Sequence, residues 1–177
     1  MKKQKKIKNI IFDVGNVLFT YKPEYIISSL LPKTPHKDLY LTHLFNSDYW
    51  QQLDRGSLSL DHLITLLTEN HSLSASQQDN ITQLVTQFPD HLILNKDMKD
   101  IFLSTCKTHN VFILSNFQTK PYQRLQSNHP FLKQALGTVI SATVMMKKPE
   151  IGIFHYLLTQ HRILPEESLF IDDMKEN

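Results

Sequence analysis

The chain is poor in cysteine, glycine and tryptophan: Cys106 stands alone, with four glycines and one tryptophan among 177 residues. A single cysteine excludes an internal disulfide and a cysteine-built zinc site. It fits a reducing compartment, and the chain is read as cytoplasmic. No apolar run approaches the ~20 residues that a membrane-spanning helix requires, so no membrane partner is expected. Charge of neither sign dominates. A net charge of +2 gives no whole-protein attraction for a polyanion, so no nucleic-acid partner is expected either. The basic start, Met1-Lys2-Lys3-Gln4-Lys5-Lys6-Ile7-Lys8, leads into no signal-peptide core and reads as a solvated terminus. The nine histidines show no HExxH or paired-ligand spacing. Repeats and low-complexity tracts are absent.

What is present is an alternation of short apolar runs with helical patterns. Ile10–Phe12, Val111–Leu114, Val139–Ile140 and Leu169–Ile171 read as buried strands. Asp97–Lys107 and Pro149–His161 carry apolar residues at helical spacing between the later runs. The order predicts an α/β fold: a three-layer, Rossmann-like parallel sheet with right-handed crossovers. The stretch from about Tyr21 to Leu94 lacks strong strand signals. It reads as helices over Glu24–Leu30, His36–Phe45, Leu60–Thr68 and Ser76–Phe88, with Arg55-Gly56 as a turn. Ser57 or Ser59 would cap the third helix, and Ser74 or Ser76 the fourth. The expected organisation is a core of residues 1–20 and 95–177, with a helical cap of residues 21–94 inserted between its first two strands.

Four chemical elements fall at successive strand ends, the edge at which open α/β sheets bind ligands. Asp13 follows the first run, with Gly15 two residues on. Ser115-Asn116 follows the second, Lys147-Lys148-Pro149 precedes a helix, and Asp172-Asp173 follows the last run. Singly, each has a plain structural reading: a turn, a loop, a helix start, a solvated acidic pair. Together on one crevice they make chemical sense. A carboxylate can attack phosphorus, and Asp13 with Asp172 and Asp173 offers hard oxygens of the kind Mg²⁺ prefers. Ser115 and the Asn116 backbone can hold phosphoryl oxygens, and Lys148 can offset charge.

The series hhhDxGN, hhLSN, KKP and hhhDD, in which h is an apolar residue, resembles the haloacid dehalogenase (HAD) superfamily over nearly the whole chain. The FDxGNV form, LSN and Asp54-Arg55-Gly56 look most like its small sugar-phosphatase group, which includes an α-D-glucose-1-phosphate phosphatase. The resemblance implies a Mg²⁺-dependent phosphomonoester hydrolase acting on a small phosphorylated metabolite, expected to be a sugar phosphate, through an aspartyl-phosphate. It makes Asp13 the nucleophile and a metal ligand, Gly15 a carbonyl donor to the metal, and Ser115 and Asn116 phosphate binders. It makes Lys148 the charge-stabilising group, Asp173 the more direct metal ligand, and Asp172 a second or water-mediated one.

Two departures accompany the resemblance. Most phosphatases of the superfamily carry a second Asp, which protonates the leaving alcohol, where this chain has Gly15. The sugar-phosphatase group also shows Gly there. Asp54 and His62, from the helical insertion, are candidate replacements. The chain also stops soon after Asp173, where the family continues with a helix and a strand. That motivates the alternative of a catalytically impaired or inactive HAD-like domain resulting from C-terminal truncation, with the acidic pair on a mobile terminus and an apolar patch near Leu169–Ile171. Carbon–halogen hydrolysis is a third reading, against which the acidic pair argues, since that chemistry needs no Mg²⁺. Among the aromatics, Phe45, Tyr49 and Trp50 are candidates to line the pocket.

Overall fold

In the computed structural model, which describes residues 6–177, β1 (Asn9–Phe12) lies inside a four-stranded parallel sheet of order β5-β4-β1-β6. It pairs with β4 (Asn110–Ser115) and β6 (Ser168–Ile171), and β5 (Gly137–Ile140) pairs with β4 at the sheet edge. The basic residues 1–5 lie outside the described residues. All four apolar runs form strands, and each is longer than its hydrophobic stretch. The added residues are largely polar and pair across the sheet. Asn110 Nδ2 donates to Asn9 Oδ1 at 3.0 Å, and Asn9 Nδ2 to Ser168 Oγ at 3.2 Å. Hydrophobic periodicity cannot detect such a polar rung.

Side-chain alternation sorts the sheet into two faces. Ile10, Phe12, Val111 and Ile113 pack with Phe102 of α6 (Lys96–Thr105) and Leu125 of α7 (Thr119–Asn128). Ile11, Phe112, Leu114 and Val139 pack with Ile153 and Leu157 of α9 (Ile151–His161). The result is three layers. On β6, Leu169 remains 50% exposed.

Between β1 and α6 the chain forms α1 (Pro23–Leu30), α2 (Lys37–Tyr40), a π turn (Leu41–Phe45), α3 (Asp48–Arg55), α4 (Leu60–His71) and α5 (Ala75–Gln87). The helical pattern over His36–Phe45 is thus divided between an α and a π turn. Ser59 caps α4, and Ser74 caps α5 through a capping box with Gln77. A two-stranded antiparallel ribbon, β2 (Phe19–Thr20) with β3 (Ile93–Leu94), brackets these helices at their two ends. The periodicity does not reveal α3 or α7, in which the buried apolar residues, Trp50 and Leu53 in one and Tyr122 and Leu125 in the other, are set among mostly polar ones. Among the described residues no helix is long and apolar enough to cross a membrane.

The helical segment is fastened to the core through the triplet Asp54-Arg55-Gly56. The Ser141 hydroxyl, at the start of α8 (Ser141–Val144), donates to the Asp54 carbonyl, and Arg55 forms an ion pair with Glu150. Gly56 has φ +81°, and a Cβ there would sit 2.5 Å from the Ala142 carbonyl oxygen. Only glycine meets both demands.

Candidate active site

Parallel strands deliver Asp13, Ser115 and Asp172-Asp173 to one edge of the sheet. After β1 the chain turns sharply: the Val14 carbonyl accepts from the Leu18 and Phe19 amides, and Asn16 adopts φ 51°. Asparagine tolerates this left-handed conformation better than most residues. Its side chain then spans two strand ends, donating to Asp173 Oδ2 at 3.2 Å while accepting from the Tyr21 amide at 3.0 Å.

Lys148 is the centre of the cluster. It is 2% exposed, and its Nζ lies 2.9 Å from Asp13 Oδ2, 2.6 Å from Asp172 Oδ2 and 5.2 Å from the Phe170 ring centroid. Asn116 braces it: Nδ2 donates to the Lys148 carbonyl at 3.0 Å, and Oδ1 accepts from the Lys148 amide at 2.8 Å. The Asn116 amide is therefore committed to positioning a lysine. Ser115, 1% exposed, gives its hydroxyl to Asp13.

The two buried carboxylates respond differently to this setting. Burial pushes the Asp13 pKa up, against the opposing pull of Lys148, the Ser115 hydroxyl and the Val14 amide. Asp172 is also disfavoured by burial, but hydrogen bonds from Lys148, the Met174 amide and Asn177, with the Lys148 charge, hold it below its ordinary value. These bonds hold Asp172 in a turn, and Asn16 Nδ2 reaches Asp173 beside it.

Oxygens of Asp13, Asp172 and Asp173 all lie within 4.8 Å of one another. Three carboxylates that close, with one lysine touching two of them, leave negative charge to be met by a further cation. The donor set fits a hard divalent ion such as Mg²⁺. Beside it opens a cavity of about 160 Å³, bordered on the sheet side by Asp13, Gly15, Asn116, Lys148 and Asp173. Its lining also includes the aromatic residues Tyr21, Trp50, Phe88 and Phe117, and Asp54. Of the aromatic candidates Trp50 lines this space, whereas Phe45 packs edge-on into Tyr21 and against Trp50. Tyr49 does not border the cavity, and its hydroxyl accepts from Asn70 Nδ2. His62 is exposed in the first turn of α4, away from the cavity wall.

Asp54 retains some accessible surface toward the cavity, yet protein atoms displace most of its hydration. Burial raises its pKa from 3.8 to about 8, against a hydrogen bond from Gln118 and the charge of Lys147. Below pH 3.8 both folded and unfolded chains hold this proton. Between 3.8 and about 8 the unfolded chain alone releases it, so stability falls as pH rises through that window. Asp54→Asn is expected to change stability little near pH 4 and to raise it near pH 8. The gain is at most about 1.4 kcal/mol per pH unit of the window, and less because cavity water hydrates the carboxyl. Urea denaturation at the two pH values measures it, and an equal effect at both would contradict the assignment.

No family model matches the chain. It is 28% identical over 172 residues to a sesquiterpene phosphatase of Aspergillus oryzae, an alignment spanning 96% of this chain and 82% of that protein. It is 24% identical over 180 residues to the D-ribitol-5-phosphate phosphatase of Bacteroides thetaiotaomicron, spanning 97% of this chain and 85% of that protein. A HAD-family enzyme of the same bacterium, solved in complex with magnesium and inorganic phosphate, superposes with a TM-score of 0.75 at 22% identity, covering 96% of this chain and 86% of that one. The chain therefore has a HAD-like fold, with the four motifs in order at the ends of its parallel strands, and it is similar to phosphatases over nearly its whole length.

Proposed function

We propose that the protein is a Mg²⁺-dependent phosphomonoester hydrolase in which Asp13 attacks phosphorus to form an aspartyl-phosphate. The observation that carries this reading is the arrangement of Asp13, Lys148, Asp172 and Asp173 at one sheet edge, open to a substrate-sized cavity. Asp13, Asp172 and Asp173, with the Gly15 carbonyl, would hold the cation. Bound there, Mg²⁺ would offset the repulsion between a carboxylate nucleophile and an anionic phosphoryl group. Lys148 holds Asp13 in position and balances charge as the phosphoryl group transfers, with Ser115 orienting the same carboxylate and the Asn116 backbone and Lys148 binding phosphoryl oxygens. Residues 21–94 serve as the cap over residues 1–20 and 95–177.

The substrate is a small phosphorylated metabolite. A sugar phosphate agrees with the first-motif form and with the activity named for the Bacteroides relative. A second reading, an apolar alcohol's phosphate, is favoured by the wall of Tyr21, Trp50, Phe88 and Phe117. Aromatic surface gains more from covering hydrocarbon than from facing a polyol, whose hydroxyls each need a partner. The fungal relative is named as a sesquiterpene phosphatase. Phosphate release in Mg²⁺ from a panel of ribitol 5-phosphate, glucose 1-phosphate and farnesyl phosphate tests both. Turnover abolished by EDTA and restored by excess Mg²⁺ is expected, and EDTA-insensitive turnover would sink the metal assignment. The ester with the highest kcat/KM decides between polyol and apolar alcohol.

A further inference from the structure

The helical segment places one carboxyl in the cavity that holds Asp13. Asp54, in the last turn of α3, shares the cavity wall with Asp13, Asp173 and Lys148. Its backbone is immobilised by the Ser141 hydroxyl, by the neighbouring Arg55–Glu150 ion pair and by the close approach of Gly56 to Ala142. Its carboxyl, by contrast, is thinly held. Gln118 Nε2 reaches Oδ1 at 3.4 Å, a long contact, and none of the ion pairs among the described residues includes it. The Lys147 ammonium, the nearby cation, donates instead to Gln51 Oε1 at 2.6 Å. A carboxyl carried on a firmly held backbone yet left without strong partners in a ligand-sized space is poorly explained by packing.

Two further observations bear on what faces it. A Cβ built on Gly15 meets nothing within 4 Å, so the space beside the nucleophile is open and nothing at position 15 supplies a proton. The Tyr21 hydroxyl, also on the wall, is buried without a hydrogen-bond partner.

We propose that Asp54 is the catalytic acid for the leaving group, an inference that rests on the phosphatase reading above. As an Asp13 oxygen bonds to phosphorus and the ester P–O bond breaks, the departing oxygen takes the Asp54 proton and leaves as a neutral alcohol. The Asp54 carboxylate so formed then accepts a proton from the water that attacks the phosphorus of the aspartyl-phosphate. The Asp13–P bond breaks, inorganic phosphate departs, and Asp54 is protonated again. Its raised pKa keeps the proton in place at neutral pH.

The test uses two esters of similar size with very different leaving groups, benzyl phosphate and p-nitrophenyl phosphate. A ring of this size suits an aromatic-walled cavity of about 160 Å³. In Mg²⁺, Asp54→Asn is expected to lower kcat/KM for benzyl phosphate by about 10²–10⁴-fold, the usual worth of general acid help. The loss for p-nitrophenyl phosphate, whose phenolate needs no proton, is expected to stay under about threefold. The quantity kcat/KM ends at departure of the leaving group, so the later water step does not blur the comparison. Equal losses on both esters, or none on either, would overturn the role of Asp54 alone. No turnover of either ester by the parent chain would overturn the phosphatase reading and this role with it.

The unsubstituted chain gives a second measurement, independent of how the variant folds. Its kcat/KM for benzyl phosphate should fall above about pH 8, with no matching fall for p-nitrophenyl phosphate. The titratable groups around Asp54 are Tyr21 and Lys147, with Asp13, Asp173 and Lys148 on the shared cavity wall and Arg55 and Glu150 paired beside it. On the π turn packed against α3, the His43 ring lies tilted against His71, and α8 carries no ionisable side chain. The Tyr21 pKa lies well above its ordinary value, so that phenol does not account for a limb near 8. A fall shared equally by the two esters would overturn the assignment.

Discussion

Asp13→Asn is expected to abolish phosphate release while leaving the protein folded. The loss should be on the order of 10⁴–10⁶-fold, the range seen when a covalent nucleophile is removed. The fold should survive because the substitution keeps the shape of the side chain. An amide oxygen can still accept from the Val14 N–H, which now donates to Asp13 Oδ1 at 2.7 Å. Lys148 keeps its 2.6 Å contact with Asp172. Asparagine also removes a buried charge whose desolvation already pushes the Asp13 pKa up. Far-UV circular dichroism and thermal melting should therefore resemble the parent. Retained turnover in a verified Asp13→Asn preparation would remove the aspartyl-phosphate from the mechanism, whatever the substrate.

Lys148→Met should damage both stability and rate. The methionine side chain approximates the lysine stem, so the substitution isolates the ammonium group. Without it, Asp13 and Asp172 face each other with no counter-charge where the side chain between them is 1% exposed. Breaking a buried pair by deleting one partner typically costs about 3–5 kcal/mol. Part of this is recovered if the carboxylates take up a proton, so the loss of stability should shrink at low pH. Turnover should fall by about 10²–10³-fold, the usual worth of one charge-stabilising donor. Mg²⁺ should raise the melting temperature of this variant more than that of the parent, because two carboxylates freed from lysine bind a cation more tightly and binding to the native state alone stabilises it. Unchanged melting and turnover would show that Lys148 is neither the electrostatic partner of Asp13 nor a catalytic group.

These effects were legible in the sequence to different depths. The strands could be read because each is an apolar run ending at a polar residue, and burial on both faces demands that pattern. The order of Asp13, Ser115-Asn116, Lys148 and Asp172-Asp173 along the chain sufficed to bring them together, since parallel strands deliver their ends to one edge. The Asn16 link to Asp173 left only a faint trace, an asparagine following a glycine. It depends on a left-handed backbone and on a partner 157 positions away. The helices α3 and α7 escaped because their few apolar residues are set among mostly polar ones.

The local sequence by itself determined the four core strands, the parallel sheet and the edge at which chemistry is placed. Those follow from hydrophobic periodicity and chain connectivity, which act over a few residues at a time. The tertiary structure alone decided that Asn116 braces Lys148, that Lys148 lies between two carboxylates and that Asp54 reaches the cavity of Asp13. Ionisation depends on solvent exclusion and on charges within a few ångströms, and those neighbours come from remote parts of the chain. An aspartate in a polar-looking Asp-Arg-Gly turn gives no sign in one dimension that folding will strip away its water and leave it holding a proton.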